Sequence, residues 1–236
     1  MDLTLFFSWQ METDSQGFNN KRFLNQCIEE ACKQVSHTGK LHDVKIHFLE
    51  GMRATSGTPE VAREMFERID NCDIYVADIT TAQRLSPEYE EIRNIHDVFF
   101  RYSPNGNVFG EYNRALGKYS EFDRQIILLA NAANKTVLED ADVIPFDTRG
   151  RRWPITFQLE NDSPESVEEA KTKLMPILKD AIAACAREAI KYYNNRYLPF
   201  QTWYLHCNEG RIRGKMVDDA IVDKYKTRIL SPTKSI

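Results

Sequence analysis

The sequence lacks the features that mark a membrane or secreted protein. None of its apolar runs approaches the roughly 20 residues that a membrane span needs. The first residues, Met1 to Phe7, contain no basic stretch and lead directly into strand-like sequence, so they do not resemble a signal peptide. We therefore expect a cytoplasmic protein that does not associate with membranes.

The chain also lacks a large excess of charge of either sign. Its 31 basic and 35 acidic side chains leave a net charge of −4, which gives no general electrostatic reason to bind nucleic acid. Hydrophobic residues make up 42% and charged residues 28% of the 236 positions. This composition is typical of a globular protein, and the length suits one α/β domain with an appendage.

Two common sequence patterns for metal and disulfide sites are missing as well. The five cysteines are odd in number and contain no CxxC pair, and the five histidines show neither HxxxH nor HExxH spacing. Cysteines in helical patterns such as Cys27 and Cys185 are typical of neutral thiols in a reducing compartment. We expect no metal site and no bound cofactor.

What the sequence does contain is a regular alternation of strand and helix patterns. Such alternation predicts a mostly parallel sheet with helices on both faces. The predicted strands are Leu3–Trp9, Val44–Leu49, Asp73–Asp78, Arg124–Ala130 and Pro154–Leu159, and the predicted helices are Lys21–Val35, one that begins at Pro59, one after Asn107, and one from Pro164 to about Asn194. A further possible helix, Pro87–Phe100, would be an insertion or lid, and Pro176 predicts a kink or boundary in the last helix.

Polar residues follow several of the predicted strands. In open parallel sheets the ligand crevice lies beyond the carboxyl ends of the strands, near the point where the strand order reverses. The segments Ser8–Gln10, Glu50–Thr58, Asp78–Thr81 and Asn107–Glu111 all lie at those ends or at the following helix starts. We therefore expect them to converge on one rim.

Glu111 is the strongest catalytic candidate on this rim. It follows a Pro104/Gly106 turn in the first turns of a predicted helix, and Asn107 could cap that helix and share a face with Glu111. A carboxylate there could hold a ribose hydroxyl or stabilise a developing glycosyl cation. An ordinary solvated glutamate in a first helical turn gives the same pattern.

Several motifs together resemble bacterial TIR-like nucleotide-binding proteins. The resemblance covers roughly Asp2 to Phe157. It rests on Phe6-Phe-Ser-Trp-Gln10 with Asn20-Lys-Arg-Phe23, on Gly57-Thr-Pro-Glu60, on Ile69 to Asp78, on Asn107, Glu111 and Ala115-Leu-Gly117, and on Pro145 to Arg152. The wider group also includes nucleoside 2-deoxyribosyltransferases and TIR NAD glycohydrolases, which use a helix-borne glutamate against the anomeric carbon of a ribose.

The resemblance implies a flavodoxin-like (TIR-like) three-layer α/β/α fold of about five strands over residues 1–160, with a C-terminal helical extension, residues 161–236, packed on the same domain. It implies an NAD⁺ (or related nucleotide) glycohydrolase in bacterial anti-phage or stress signalling, with Glu111 as the catalytic carboxylate and NAD⁺ as substrate. A homo-oligomer or an upstream activating protein would be the partner. A non-catalytic nucleotide-binding or interaction module and a nucleoside deoxyribosyltransferase are the alternatives.

Substrate-binding roles follow from the same resemblance. Asp78 would bind ribose hydroxyls, or cap a helix; Trp9, beside Gln10, would stack on a base, or pack in the core. Ser8 and Thr58 would help to seat a phosphate at the helix that begins at Pro59. The remaining positions are basic: Arg53 could supply positive charge or be an ordinary loop residue, Arg114 could grip a phosphate or pair with Glu111, and Arg149, Arg151 and Arg152 could bind phosphate or pair with acids such as Asp147.

Overall fold

The computed structural model describes residues 1–10, 20–36, 39–41, 43–50, 61–80, 105–119, 122–133 and 154–208. These ranges contain five strands and four α-helices. The strands are β1 (Asp2–Ser8), β2 (Lys45–Glu50), β3 (Ile74–Asp78), β4 (Ile126–Asn131) and β5 (Ile155–Phe157); the helices are α1 (Lys21–Val35), α2 (Val61–Asn71), α3 (Gly106–Leu116) and α4 (Pro164–Asn208). Two short 3₁₀ helices, Gly39–Leu41 and Phe122–Gln125, precede β2 and β4.

All five strands are parallel and lie in the order β2-β1-β3-β4-β5. The strand order reverses between β1 and β3, as in flavodoxin-like folds. The predicted fold class is confirmed, with an entirely parallel sheet where the sequence predicted a mostly parallel one.

The sheet separates two apolar cores, which makes three layers. Alternate residues of β1 point to opposite faces. Leu5 and Phe7 pack in a cluster with α1 and α4, whereas Phe6 packs with Tyr75, α2 and α3. Every residue of β3 is buried because helices cover both of its faces.

Helix α1 has the predicted bounds, and its buried stripe includes the predicted Phe23, Leu24, Cys27, Ile28 and Ala31. Its apolar spacing alone therefore identified both the helix and the face that it buries. Strand ends were less accurate: β4 begins at Ile126, and the residues predicted as its start form a 3₁₀ turn.

The last helix is longer than predicted. The Ser163 hydroxyl accepts a hydrogen bond from the Ser166 N–H at 3.2 Å and so caps its start, as predicted. The helix then continues past Pro176 to Asn208, so of the two predicted alternatives the boundary is wrong, and the kink stays a prediction. Buried residues on both sides of the proline, Leu174 and Leu178, hold the helix against the sheet core, and this packing outweighs the lost backbone hydrogen bond.

Several predictions lie outside the described residues. They are the Pro87–Phe100 helix, the Glu50–Thr58 loop beyond its first residue, and the arginines at 149, 151 and 152. Among the helices within the described ranges, none combines the length and apolar character needed to cross a membrane.

Candidate functional site

The candidate site lies where β1 and β3 end side by side. The chain leaves β1 towards α1 on one face of the sheet, and α2, which leads into β3, lies on the other face. A reversal of this kind opens a crevice at the carboxyl ends of the two strands. Ser8 is the last residue of β1 and pairs in register with Ala77, next to Asp78 at the end of β3.

Glu111 reaches this crevice from α3. Ser8 and Phe6 point to the same face of β1 because side chains alternate along a strand, and α3 packs on that face through Val108, Tyr112 and Ala115. The Ser8 hydroxyl donates a hydrogen bond to Oε2 of Glu111 at 2.5 Å. Ser8 and Glu111 are thus in direct contact, although they lie 103 positions apart in the chain. The first was predicted on a strand and the second on a helix.

The environment of Glu111 is unlike that of a solvated surface acid. Burial raises the pKa of the Glu111 carboxyl above its usual value, and the hydrogen bond from Ser8 offsets part of this rise. Tyr75 lies on the same face, and burial raises the pKa of its phenol well above the usual value, with the negative charge of Glu111 acting in the same direction. Glu111 is therefore a half-buried carboxyl whose pKa lies above that of a solvated glutamate.

Gln10 connects the crevice to the start of α3. Its Nε2 donates to the carbonyl oxygen of Thr80 at 2.5 Å, and its Oε1 accepts from the Asn105 N–H at 3.1 Å. The side chain thereby joins the segments that follow β1 and β3 to the residue that precedes α3. The side chain is 5% exposed, and both of these hydrogen bonds are to the backbone of other segments. Gln10 therefore positions these segments, and through α3 it helps to position Glu111.

Asp78 is turned towards its own backbone. Its Oδ1 accepts from the Thr80 N–H at 3.0 Å and from the Thr80 hydroxyl at 2.5 Å, and the residue is 1% exposed. These bonds stabilise the turn after β3. These contacts belong to a turn and not to a helix cap, and the predicted role of Asp78 in binding ribose stays a prediction.

A buried polar network lies at the same carboxyl ends of the strands, and it includes Asn131, which the sequence analysis did not identify. The Thr80 hydroxyl oxygen accepts from Asn20 Nδ2 at 3.2 Å and from the Asn131 N–H at 2.8 Å. Asn131 Nδ2 donates to Asn20 Oδ1 and to the Leu159 carbonyl, and its Oδ1 accepts from the Leu159 N–H. The sequence could have identified Asn131, because it directly follows the apolar run Ile126–Ala130 and so lies at the carboxyl end of a strand.

Trp9 lies on the other side of β1 from Ser8. Its ring packs against the core that contains α1, and Lys21 Nζ lies 3.1 Å from the ring centroid. The same ammonium is 3.0 Å from a carboxylate oxygen of Glu50. One face of the indole is therefore covered by a cation, an arrangement that is favourable in itself.

The two remaining described candidates on α3 have different surroundings. Asn107 was predicted to cap the helix, and this prediction is wrong. The helix begins at Gly106 and its cap is Asn105, whose Oδ1 accepts from the Asn107 N–H at 2.6 Å. Arg114 forms two hydrogen bonds to Asp70, at 2.8 and 2.5 Å. Of the two alternatives for Arg114, pairing with Glu111 is therefore not what the structure shows, and binding of a phosphate stays a prediction.

Arg53 and Thr58 lie outside the described residues, so their predicted roles stay predictions. Across the described ranges, no group of three or more histidine, cysteine, aspartate or glutamate side chains could hold a metal ion. Together the fold and the site define a flavodoxin-like α/β protein with a half-buried glutamate at the point where the strand order of its sheet reverses. No family model matches this chain, and no curated protein shows significant similarity to it.

Proposed function

We propose that the protein is an N-glycoside hydrolase that acts on NAD⁺ or a related nucleotide, with Glu111 as the catalytic carboxylate. The single observation that carries the proposal is the contact between Glu111 and Ser8 at the point where the strand order reverses. In this fold class that place is where small ligands bind. The TIR-like resemblance of the motifs supports the choice of a nucleotide.

The chemistry requires little beyond a positioned carboxylate. The bond between the anomeric carbon and the base nitrogen breaks, its electron pair leaves with the base, and positive charge develops on the ribose. Ionised Glu111 would stabilise this cation or bond to it, and water would then complete hydrolysis. A carboxylate removed from bulk water stabilises such a charge more strongly than one exposed to it.

The hydrogen bond from Ser8 gives this carboxylate a defined orientation. Ser8 is fully buried and donates to Oε2 only, so within the described residues Oε1 has no hydrogen bond. Oε1 is then the atom that would face the anomeric carbon. Ser8 acts as a positioning residue in this proposal, because its hydroxyl donates to the carboxylate that would act on the substrate.

A second candidate function, a nucleotide-binding or interaction module without turnover, is favoured by a different observation. Gln10 and Asp78 already form hydrogen bonds within the protein, and Lys21 covers one face of Trp9. Three of the predicted substrate contacts are thus engaged elsewhere. A site of this kind would bind a nucleotide with few direct contacts and no chemistry.

The test is mass spectrometry of nucleotides after incubation with the purified full chain. We expect release of nicotinamide from NAD⁺ by the wild type and its loss in Glu111→Gln, which keeps the side-chain shape but cannot carry negative charge. Glu67→Gln is the matched control, because Glu67 is an exposed glutamate on α2. Nicotinamide release that survives the Glu111 substitution would refute the catalytic role.

Assembly must be controlled in this assay, since the proposal includes a homo-oligomer or an upstream activating protein as partner in an anti-phage or stress response. Protein concentration should therefore be varied over a wide range. Thermal-shift titrations with NAD⁺ and ADP-ribose run in parallel, because a ligand that binds only the folded state raises the melting temperature. Stabilisation without product at every concentration favours the non-catalytic module.

A further inference from the structure

A cavity lies at the amino-terminal ends of the strands, on the side of the sheet away from the carboxyl ends where Glu111 lies. Its volume is about 570 Å³, which is within the usual range for small-molecule sites. The residues between α2 and β3 form one wall, the end of α3 and the residues after it form another, and Tyr192 and Tyr193 of α4 form a third. None of these groups belongs to the Glu111 crevice.

The cavity contains a lysine in unusual surroundings. Nζ of Lys118 donates a hydrogen bond to the carbonyl oxygen of Cys72 and lies 4.0 Å from the centre of the Phe122 ring. Burial lowers the pKa of the Lys118 ammonium, although the nearby Cys72, Asp73 and Asp70 act in the opposite direction. Compared with an exposed lysine, a larger share of Lys118 is therefore a neutral, nucleophilic amine near neutral pH.

The charges that line the cavity balance one another. Among the described lining residues, Asp70 and Asp73 are acidic, and Arg114 and Lys118 are basic. Arg114 donates to the Asp70 carboxylate through Nε and Nη2, and Asp73 accepts from the Tyr193 hydroxyl at 2.6 Å. With two acidic and two basic side chains, and with Arg114 and Asp70 paired to each other, the described lining has no excess positive charge to attract a phosphate or a nucleotide, which favours an uncharged ligand.

The aromatic wall indicates the shape of that ligand. Tyr119 and Tyr192 stack with their ring centroids 4.1 Å apart and an angle of 11° between the planes. Tyr193 meets Tyr192 edge to face, with centroids 6.0 Å apart. Flat rings held in this way provide a surface on which another planar ring can pack.

We propose that this cavity is a second site, at which Lys118 captures a small, uncharged aromatic aldehyde as an imine. The lone pair of Nζ adds to the carbonyl carbon to give a carbinolamine, whose hydroxyl then leaves as water with one added proton. The product is a protonated C=N bond, and no oxidant or reductant is consumed. The iminium nitrogen keeps one N–H for the Cys72 carbonyl and keeps its positive charge over the Phe122 ring.

The test is reductive trapping on the full chain at neutral pH, with benzaldehyde as the probe and cyanoborohydride to reduce the iminium, followed by peptide mass spectrometry. Lys33 and Lys173 are the internal controls, because both are exposed and form i,i+4 pairs on helices. We expect Lys118 to be alkylated several-fold faster than either. An equal or slower rate at Lys118 would overturn the proposal.

Two variants test the remaining parts of the inference. Tyr192→Leu removes one ring of the aromatic wall and leaves Lys118 intact, so the preference of Lys118 for benzaldehyde over propanal should fall; an unchanged preference contradicts an aromatic ligand. Glu111→Gln should leave trapping at Lys118 unchanged, because the two sites lie at opposite edges of the sheet. Loss of trapping in that variant would contradict a separate site.

Discussion

At the scale of single residues, the Glu111–Ser8 contact is the feature with the most direct chemical consequence. Ser8 is buried because it ends a strand that is covered on both faces, and Glu111 is drawn into the same place because its neighbours on α3 are core residues. The helix therefore places a carboxyl group where water only partly reaches it. Desolvation of this kind disfavours the charged form and makes Glu111 sensitive to pH.

This sensitivity predicts a pH-dependent stability. The folded-state pKa of Glu111 is raised, so between the ordinary glutamate pKa and this higher value the folded state binds more protons than the unfolded state. Stability from this group is therefore present at low pH and is lost as the pH rises through the raised pKa. Glu111→Gln has no carboxyl to ionise, so it does not lose this stability as the pH rises. The melting temperature of the variant minus that of the wild type should therefore increase with pH.

Thermal denaturation at a series of pH values checks this prediction. Glu67→Gln is again the control, since Glu67 is an exposed residue on α2. Ser8→Ala removes the hydrogen bond that lowers the pKa of Glu111, so in that variant the loss of stability with rising pH should extend to higher pH. A difference between wild type and Glu111→Gln that does not change with pH would contradict the raised pKa.

At the scale of elements, α3 matters most because it carries Glu111. Its start is defined by two contacts: the side chain of Asn105 accepts from the Asn107 N–H, and the Asn105 N–H donates to Gln10. The first contact caps the helix, and the second attaches it to the segment after β1. The position of Glu111 next to Ser8 thus depends on the contacts of Asn105, six residues earlier in the chain.

Removal of the observed cap should weaken α3 measurably. Asn105→Ala deletes the acceptor for the Asn107 N–H, and loss of such a cap costs about 1 kcal/mol of unfolding free energy. Asn107→Ala is the matched control; its exposed side chain forms none of the described hydrogen bonds, so it should change stability by less than about 0.5 kcal/mol. Urea denaturation measures both. An equal cost for the two variants would instead favour the cap predicted from sequence.

At the scale of the whole molecule, the network of Asn20, Thr80 and Asn131 joins segments far apart in the chain. Asn131 Nδ2 reaches Asn20 across 111 positions, and its other bonds connect β4 to the segment after β5. The network lies beyond the carboxyl ends of β3 and β4, beside the crevice. Buried polar groups that satisfy one another in this way define one arrangement of the segments around a site.

Disruption of this network should therefore cost more than an ordinary surface substitution. Asn131→Ala removes every side-chain bond of Asn131 and leaves buried partners at Asn20 and Leu159 unsatisfied, which predicts a loss of about 2–4 kcal/mol. Asn113→Ala, at an exposed position on α3, is the control and should be nearly neutral. The midpoint of urea unfolding reports both; a small shift for Asn131→Ala would mean that these bonds add little to stability.

The sequence by itself determined the class of fold. Apolar spacing identified α1 and its approximate bounds, and alternation of strands and helices predicted a mostly parallel sheet. These features are local, because a hydrophobic period of two or 3.6 residues can be read from a short stretch of consecutive positions. Helix ends were harder: Asn105 rather than Asn107 caps α3, and Pro176 does not end α4, since tertiary packing overrides a local signal.

Only the tertiary structure decided which candidate side chains meet. In the folded chain Glu111 accepts a hydrogen bond from Ser8, and Arg114 binds Asp70. Asp78 forms hydrogen bonds within the turn that follows β3. Sequence spacing along α3 predicted that Arg114 and Glu111 could pair, yet Arg114 binds Asp70 of α2. Partners for long polar side chains are set by what neighbouring elements present, and that depends on strand order and on helix packing across more than a hundred residues of chain.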